Sequence, residues 1–436
     1  MSNAQNIVIL GGSFAGLSVA HYFLKHILPT LPKNNGASYH VYLIDSSTHY
    51  YWRIAAPRAL VGKDMIQQDK MFLPIADGFK QYDSSIFTFI QATATSMDTN
   101  ARTVTIEHAS NSESQTLPYH ALVIATGTRT PSPLLSLQGD YKITQNALQE
   151  MRGKLSSAKT IVIAGGGPAG VETAGEIGEA LNGVAGFFQS RPANPKAKIT
   201  LLSGSTKLLP MLRPALAKQA EVYLNRVGVD VVHNAKMQSV DSAGAQTLIH
   251  LDNGSTLEAD IYIPATGVTP NSAFVPANLK TDKGYVKTNG KTLRVDEAGP
   301  RVYAAGDVGS YTRGGVMDIY DAIPVVLTNI KRDLQHAATA GASSPSPNNN
   351  NNNNNEKQSE LAGNAPGSDR TYKANLKETQ LVPVGRSKGV GAVFGWKLPT
   401  LMVYMIKGRN YMIDNAVTLQ RGTKWEKEDG WKPTDA

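Results

Sequence analysis

Two glycine-rich hexapeptides hold the chemistry that is easiest to read in this chain: Gly11-Gly12-Ser13-Phe14-Ala15-Gly16 and Gly165-Gly166-Gly167-Pro168-Ala169-Gly170. Loops of this kind need glycine for a tight turn, for close approach of a pyrophosphate and for helix–strand packing. The helix that follows offers free N–H groups and the positive end of its dipole to the phosphates. Gly165, Gly167 and Gly170 fill all three places. In the first loop Gly11 and Gly16 fill the outer two and Ser13 stands in the middle one, and alone it also fits an ordinary glycine turn. Asp45 ends the run Val41-Tyr42-Leu43-Ile44, where a carboxylate accepts from ribose hydroxyls. The matching run Ile199-Thr200-Leu201-Leu202 ends instead in Ser203-Gly204-Ser205, with Lys207 beyond. Nothing there repels a 2′-phosphate, and Ser203 and Lys207 are expected to bind one. NADPH is therefore favoured as donor, with NADH retained as the alternative. Glu172, two positions past the second loop, is the candidate acid facing the reacting edge; a solvated carboxylate near a helix start has the same signature.

These residues need a scaffold of strands and helices. Ile7-Val8-Ile9-Leu10 and Ile161-Val162-Ile163-Ala164 are short apolar runs that turn straight into the glycine loops, as buried parallel strands do. Far downstream, each unit has an apolar run ending in Ala-Thr-Gly: Ala125-Thr126-Gly127 and Ala265-Thr266-Gly267. Two copies of one nucleotide-binding unit explain this order. Ala304-Ala305-Gly306-Asp307 follows Val302-Tyr303, and Asp307 suits the ribityl chain of a flavin, which assigns non-covalent FAD to the first unit. Ala94 is placed with the FAD-binding set. A helix is expected over 323–336 with Pro324 in its first turn, its positive end near the flavin. The fold class is α/β: two Rossmann-like dinucleotide-binding domains, glutathione-reductase-like, plus a small C-terminal element. Residues 1–128 and 265–336 form the FAD domain and 129–264 the NAD(P)H domain. Residues 337–372, with the Asn348–Asn355 tract, read as a disordered linker, and 373–436 as the C-terminal element.

Composition excludes some chemistry. With no cysteine, no dithiol can sit beside a flavin and no thiolate can ligate metal; no metal site is expected. The net charge of +8 comes from scattered Lys and Arg, so a nucleic-acid partner is not expected. Met1-Ser2-Asn3 leads almost directly into a strand, without a signal or transit pattern and with Ser2 where myristoylation needs glycine. A cytoplasmic protein is expected. The segment Trp396–Lys407 is apolar with basic residues at both ends, suited to resting on a membrane surface or to covering its own core, and too short to span.

In this order, Gly-Gly-Ser-Phe-Ala-Gly, Ala-Thr-Gly, Gly-Gly-Gly-Pro-Ala-Gly-Val-Glu, Ala-Thr-Gly-Val-Thr-Pro-Asn and Ala-Gly-Asp resemble the pyridine-nucleotide flavoprotein reductases. Val384–Gly391 and Leu401–Arg409 make the chain look like their apoptosis-inducing-factor-homologous branch, which includes the ferroptosis suppressor quinone reductases. The resemblance implies FAD, NAD(P)H oxidation and electron delivery to a quinone. It implies that Glu172 lies beside flavin and nicotinamide, that Lys407 lies near the flavin and stabilises negative charge, and that Arg58 belongs to the FAD half. Peripheral contact with a mitochondrial or lipid-droplet surface is an expectation carried by residues 396–407. Ser13 and the missing myristoylation glycine depart from the pattern. Competing readings are a flavin-dependent monooxygenase or oxidase in small-molecule biosynthesis, a reductase of a protein partner, and a non-enzymatic cell-death factor. The oligomeric state stays open.

Overall fold

The computed structural model describes residues 4–32, 38–244, 246–342 and 363–431. It contains two parallel sheets of similar construction. In the first, β1 (Ala4–Leu10) leads through the first glycine loop into α1 (Phe14–Tyr22), and β2 (Ser38–Asp45) pairs parallel to β1. Beyond β2 come β3 (Phe87–Asp98), β4 (Thr103–His108) and β5 (Ser114–Pro118), the last two antiparallel. β6 (Ala121–Ile124) pairs with the other side of β1. In the second sheet, β7 (Thr160–Ala164) leads through the second loop into α3 (Pro168–Asn182), the short helix Ala56–Ala59 being α2. β8 (Lys198–Leu202) pairs with one side of β7, β9 (Val229–Val232) follows β8 after α4 (Pro214–Asn225), and β10 (Ile261–Pro264) pairs with the other side of β7. β11 (Val302–Ala304) then returns to the first sheet beside β6. The orders are β11-β6-β1-β2-β3-β4-β5 and β9-β8-β7-β10.

The strand pattern explains the apolar runs. Ile7 and Ile9 join the core cluster shared with α1, while Val8 and Leu10 join the cluster on the opposite face. Both faces are covered, so the run is continuous rather than alternating. In the second sheet, Ile161 and Ile163 pack with Val171, Ala174 and Ile177 of α3, and Val162 and Ala164 meet an antiparallel layer that includes Ile249, Leu251 and Ala259. Reversal of strand order at β1/β6 and at β7/β10 opens a crevice beyond the strand ends in each sheet, and each glycine loop sits there.

Two expectations are corrected. The helix expected from residue 323 is α5 (Val316–Ala342), with Pro324 inside it rather than in its first turn. It starts earlier because Asp318 accepts from the Thr312 hydroxyl (2.8 Å) and the Arg313 N–H (3.1 Å), closing the preceding loop onto the first turn. Ile323, Val325 and Val326 are buried around the proline, and this packing offsets a defect that costs about 3 kcal/mol in an isolated helix. Of the linker expected over 337–372, residues 337–342 and 363–372 are part of the fold. α5 runs through Ala342, and residues 363–372 lie against it: Arg294 pairs with Asp333 (2.9 Å) and Asp369 (2.6 Å), and the Ala365 N–H donates to Asp333 (2.8 Å). The Asn348–Asn355 tract lies outside the described residues.

Beyond this, a hairpin of β12 (Gln380–Val384) and β13 (Lys388–Val393), the short β14 (Trp396–Lys397) and α6 (Thr400–Val403) form the C-terminal element. It packs on α3, where a Cβ on Gly175 would lie 2.8 Å from the Gly385 nitrogen. Among the described residues no helix is long and apolar enough to cross a membrane.

Candidate functional site

The two glycine loops share one backbone design. Gly11 (φ +108°) and Gly165 (φ +133°) adopt conformations closed to other residues, and a Cβ on either would lie 2.4 Å from a carbonyl oxygen, that of Ala125 or Ala265. A Cβ on Gly16 would lie 1.6 Å from the Gly11 oxygen, and one on Gly170 1.9 Å from the Gly165 oxygen. The Ala-Thr-Gly turns therefore form the far walls of the loops. They are also joined to each other: the Thr126 hydroxyl donates to the Asn271 carbonyl (2.6 Å), the Asn271 amide donates to the Thr126 carbonyl (2.9 Å), and Asn271 lies four residues past Gly267.

Around the first loop, Gly12 donates its N–H to Asp45 (2.5 Å), and Ser47 donates to the other carboxylate oxygen (2.8 Å). Burial pushes the Asp45 carboxyl up, and these two N–H groups pull it back. Ser13 caps α1 without a side-chain hydrogen bond. Ala15 touches the Ala-Gly-Asp turn, since a Cβ on Gly306 would lie 2.9 Å from its own Cβ. Asp307 accepts from the Gly315 N–H (3.1 Å), and Gly306 donates to the Tyr311 hydroxyl (2.8 Å). Ala94 lies on β3 opposite Ile106, where the register shifts toward Ser96.

On α3, Glu172 is buried and its carboxylate meets the Lys407 ammonium at 2.5 Å; Lys407 also donates to the Leu381 carbonyl (3.1 Å). Burial raises the Glu172 carboxyl to about 7, with Lys407 opposing that shift and the nearby Glu176 adding to it. One turn on, Glu176 pairs with Arg58 (2.7 Å), and at the next turn Glu179 accepts from the Arg386 N–H (2.8 Å). Glu172, Glu176 and Glu179 follow i, i+4, i+7 spacing, so one helix face presents three carboxylates to groups brought by other segments.

Arg58, expected with the cofactor-binding residues, is buried and acts as a clamp between segments. Its Nε and Nη2 reach Glu176, its Nη1 donates to the carbonyls of Gly408 (2.6 Å) and Arg409 (2.9 Å), and Nη2 also reaches the Gly385 carbonyl (3.4 Å). A guanidinium has five N–H donors, and these contacts engage them all. The first sheet's α2 is thereby tied to α3 and to the C-terminal element. Tyr411 completes the clamp: its hydroxyl donates to Glu176 (3.0 Å), its ring lies 4.8 Å from the Arg58 guanidinium, and its carbonyl accepts from the Trp52 indole (2.9 Å). Trp52 in turn packs against Phe14 of the first loop. Glu176, Tyr411 and Trp52 carry no local sequence signal for this role beyond the acid spacing on α3.

The 2′-phosphate candidates also face inward. Ser203 is buried with its hydroxyl on the carbonyls of Ser205 (3.2 Å) and Lys207 (3.4 Å), and the Lys207 ammonium donates to the Leu212 carbonyl (2.6 Å). Both side chains shape the turn after β8 from within. In the segment 396–407, Trp396, Leu401 and Met405 are exposed, Val403 is buried, and Lys407 turns inward to Glu172.

A family model described as pyridine nucleotide-disulphide oxidoreductase matches residues 5–342. Oxidoreductase phnG of Penicillium herquei is 46% identical over 434 residues, covering 98% of each chain. Ferroptosis suppressor protein 1 of Homo sapiens is 24% identical over 422 residues, covering 95% of each. Among solved structures, NDH2 from Plasmodium falciparum in complex with NADH shares the fold, with a TM-score of 0.60 at 14% identity over 98% of this chain and 100% of that one.

Proposed function

Because the chain belongs to the pyridine nucleotide-disulphide oxidoreductase family and is related to the ferroptosis-suppressor type of flavoprotein, we propose that it passes two electrons from NAD(P)H through FAD to a quinone-type acceptor. The observation that carries this reading is the Glu172–Lys407 pair, held on the helix of the second glycine loop and linked through Tyr411 and Trp52 to the first. In this reading residues 1–128 and 265–336 hold FAD, 129–264 hold the nicotinamide nucleotide, and 373–436 cover the junction.

The residues present suit the two nucleotides. The Gly11–Gly16 cradle, which a Cβ would fill, suits the FAD pyrophosphate, with Asp45 at the ribose corner, Ala94 and Thr126–Gly127 along the groove and Asp307 at the ribityl chain. Gly165, Gly167, Gly170 and Gly267 suit the nicotinamide nucleotide. When bound, FAD supplies the two-electron relay between donor and acceptor. Glu172, raised to about 7, holds or releases a proton near neutrality, which quinone reduction requires. Lys407 supplies positive charge where negative charge gathers on an acceptor oxygen. The exposed strip of Trp396, Leu401 and Met405 supports peripheral contact with a lipid surface that stores a lipophilic acceptor, at a mitochondrion or lipid droplet.

Anaerobic stopped-flow mixing of the purified protein with NADH or NADPH, then with a short-chain ubiquinone, tests the proposal. Fast bleaching of a flavin band and fast recovery with quinone is the expected result. Bleaching without recovery would remove the quinone, and a colourless protein that FAD cannot reconstitute would remove the flavin.

A further inference from the structure

In a unit of this topology the adenosine ribose lies at the end of the second strand, and the residues there decide whether a 2′-phosphate is accepted. Here that corner is the turn Ser203-Gly204-Ser205-Thr206-Lys207 after β8, which contains no acid. The turn is fixed to the pyrophosphate loop, because a Cβ on Gly166 would lie 2.6 Å from the Ser203 hydroxyl and the Leu209 N–H donates to the Gly166 carbonyl (2.7 Å). Its two evident ligands are turned inward, as described above. Gly204, Ser205 and Thr206 form its exposed rim.

A different cation reaches this rim. The chain leaving β9 is bonded to the turn through Asn234 N–H to the Ser205 carbonyl (3.3 Å) and Ala235 N–H to the Ser203 carbonyl (3.0 Å). The next residue, Lys236, lays its stem across Gly204: a Cβ there would lie 2.9 Å from Lys236 Cγ and 3.6 Å from Cε. A side chain at position 204 would displace it. The Lys236 backbone is pinned on both sides by Asp252, whose carboxylate accepts its N–H (3.0 Å) and whose own N–H donates to its carbonyl (2.9 Å). The residue itself is exposed, and among the described residues its ammonium forms no ion pair or hydrogen bond. A pinned backbone, a directed stem and a free charge at the ribose corner are what a phosphate ligand needs.

We propose that Lys236, whose stem crosses Gly204 in the exposed rim Gly204-Ser205-Thr206, binds the 2′-phosphate of an adenosine nucleotide and makes NADPH the preferred donor. This rests on the reading of residues 129–264 as the nicotinamide-nucleotide domain. The full-length protein is titrated calorimetrically with 2′,5′-ADP, 5′-AMP and 3′,5′-ADP, alongside Lys236→Ala and Lys236→Arg. Wild type is expected to bind 2′,5′-ADP at least about tenfold more tightly than the other two, the scale of one exposed charge-assisted contact. Lys236→Ala should bring the three within about twofold, and Lys236→Arg should restore most of the difference. The NADPH-to-NADH ratio of kcat/KM for flavin reduction should fall in parallel in the alanine variant. A preference for 2′,5′-ADP that survives Lys236→Ala, or equal binding of all three probes by wild type, overturns the assignment. Wild-type flavin that neither nucleotide reduces would instead remove the underlying reading.

Discussion

The two glycine loops are nearly the same object in backbone and opposite in where they keep their charge. Each has a left-handed glycine against the carbonyl of an Ala-Thr-Gly turn and a second glycine against the first. At the end of the second strand, the first unit has Asp45, which clasps Gly12 through its N–H, whereas the second has the uncharged Ser203 against Gly166. Two positions past the loop the pattern reverses. Ser18 turns its hydroxyl back to the Phe14 carbonyl of its own helix (2.7 Å), while Glu172 places a buried carboxylate against Lys407. Glycine fixes the geometry of approach, so it cannot vary. The two neighbouring positions are where the units differ in charge, Asp45 against Ser203 and Ser18 against Glu172.

The largest expected effect comes from breaking the shared part. Gly16→Val and Gly170→Val each insert carbon where less than 2 Å is free. Gly16→Val should cost well over about 3 kcal/mol and yield protein without flavin, read from absorbance per chain. Gly170→Val should keep its flavin but slow reduction by NADPH at least about a hundredfold. Equal flavin loss in both would mean that the two units do not divide the work. Next comes the tie between the units. Arg58→Ala leaves Glu176 buried and unpaired and should cost about 3–5 kcal/mol in urea unfolding, with part of the loss recovered when Glu176→Gln is added. If the single change is neutral, the clamp is not what joins the sheets.

The smallest effect tests the difference itself. Glu172 is held at about 7 when folded, against 4.5 for an unperturbed carboxyl. Between those values the folded chain carries a proton that the unfolded chain has lost, so this group's contribution to stability falls as pH rises from about 4.5 to about 7 and is level above. Over that window wild type should lose about 2 kcal/mol relative to Glu172→Gln, measured as urea midpoints at pH 5 and pH 8. Parallel pH profiles would show an ordinary surface-like carboxylate, and the two units would then differ less than their structures imply.

The parts legible in the sequence were those set by local backbone constraint. The glycine loops, the apolar runs of β1 and β7 and the Ala-Thr-Gly turns each follow from residues a few positions apart. What escaped depends on long-range pairing. Arg58 meets an acid 118 positions away, and composition cannot announce such a partner. Residues 363–372 read as linker because they are polar, yet Asp369 serves the buried Arg294. Pro324 reads as a helix start by its own preference, but the packing of Ile323, Val325 and Val326 outweighs it. Lys236 belongs to no local motif; its role rests on a neighbour, Gly204, that offers no side chain.

The anchoring of the chain around Asp333 also decides where the C-terminal element begins. The polypeptide leaves along α5 and comes back at Ala365 to the same carboxylate, with Asp369 fastened beside it by Arg294 and Arg332. The C-terminal element, which carries the Lys407 that meets Glu172, therefore starts from a point fastened to α5 rather than from a free strand end.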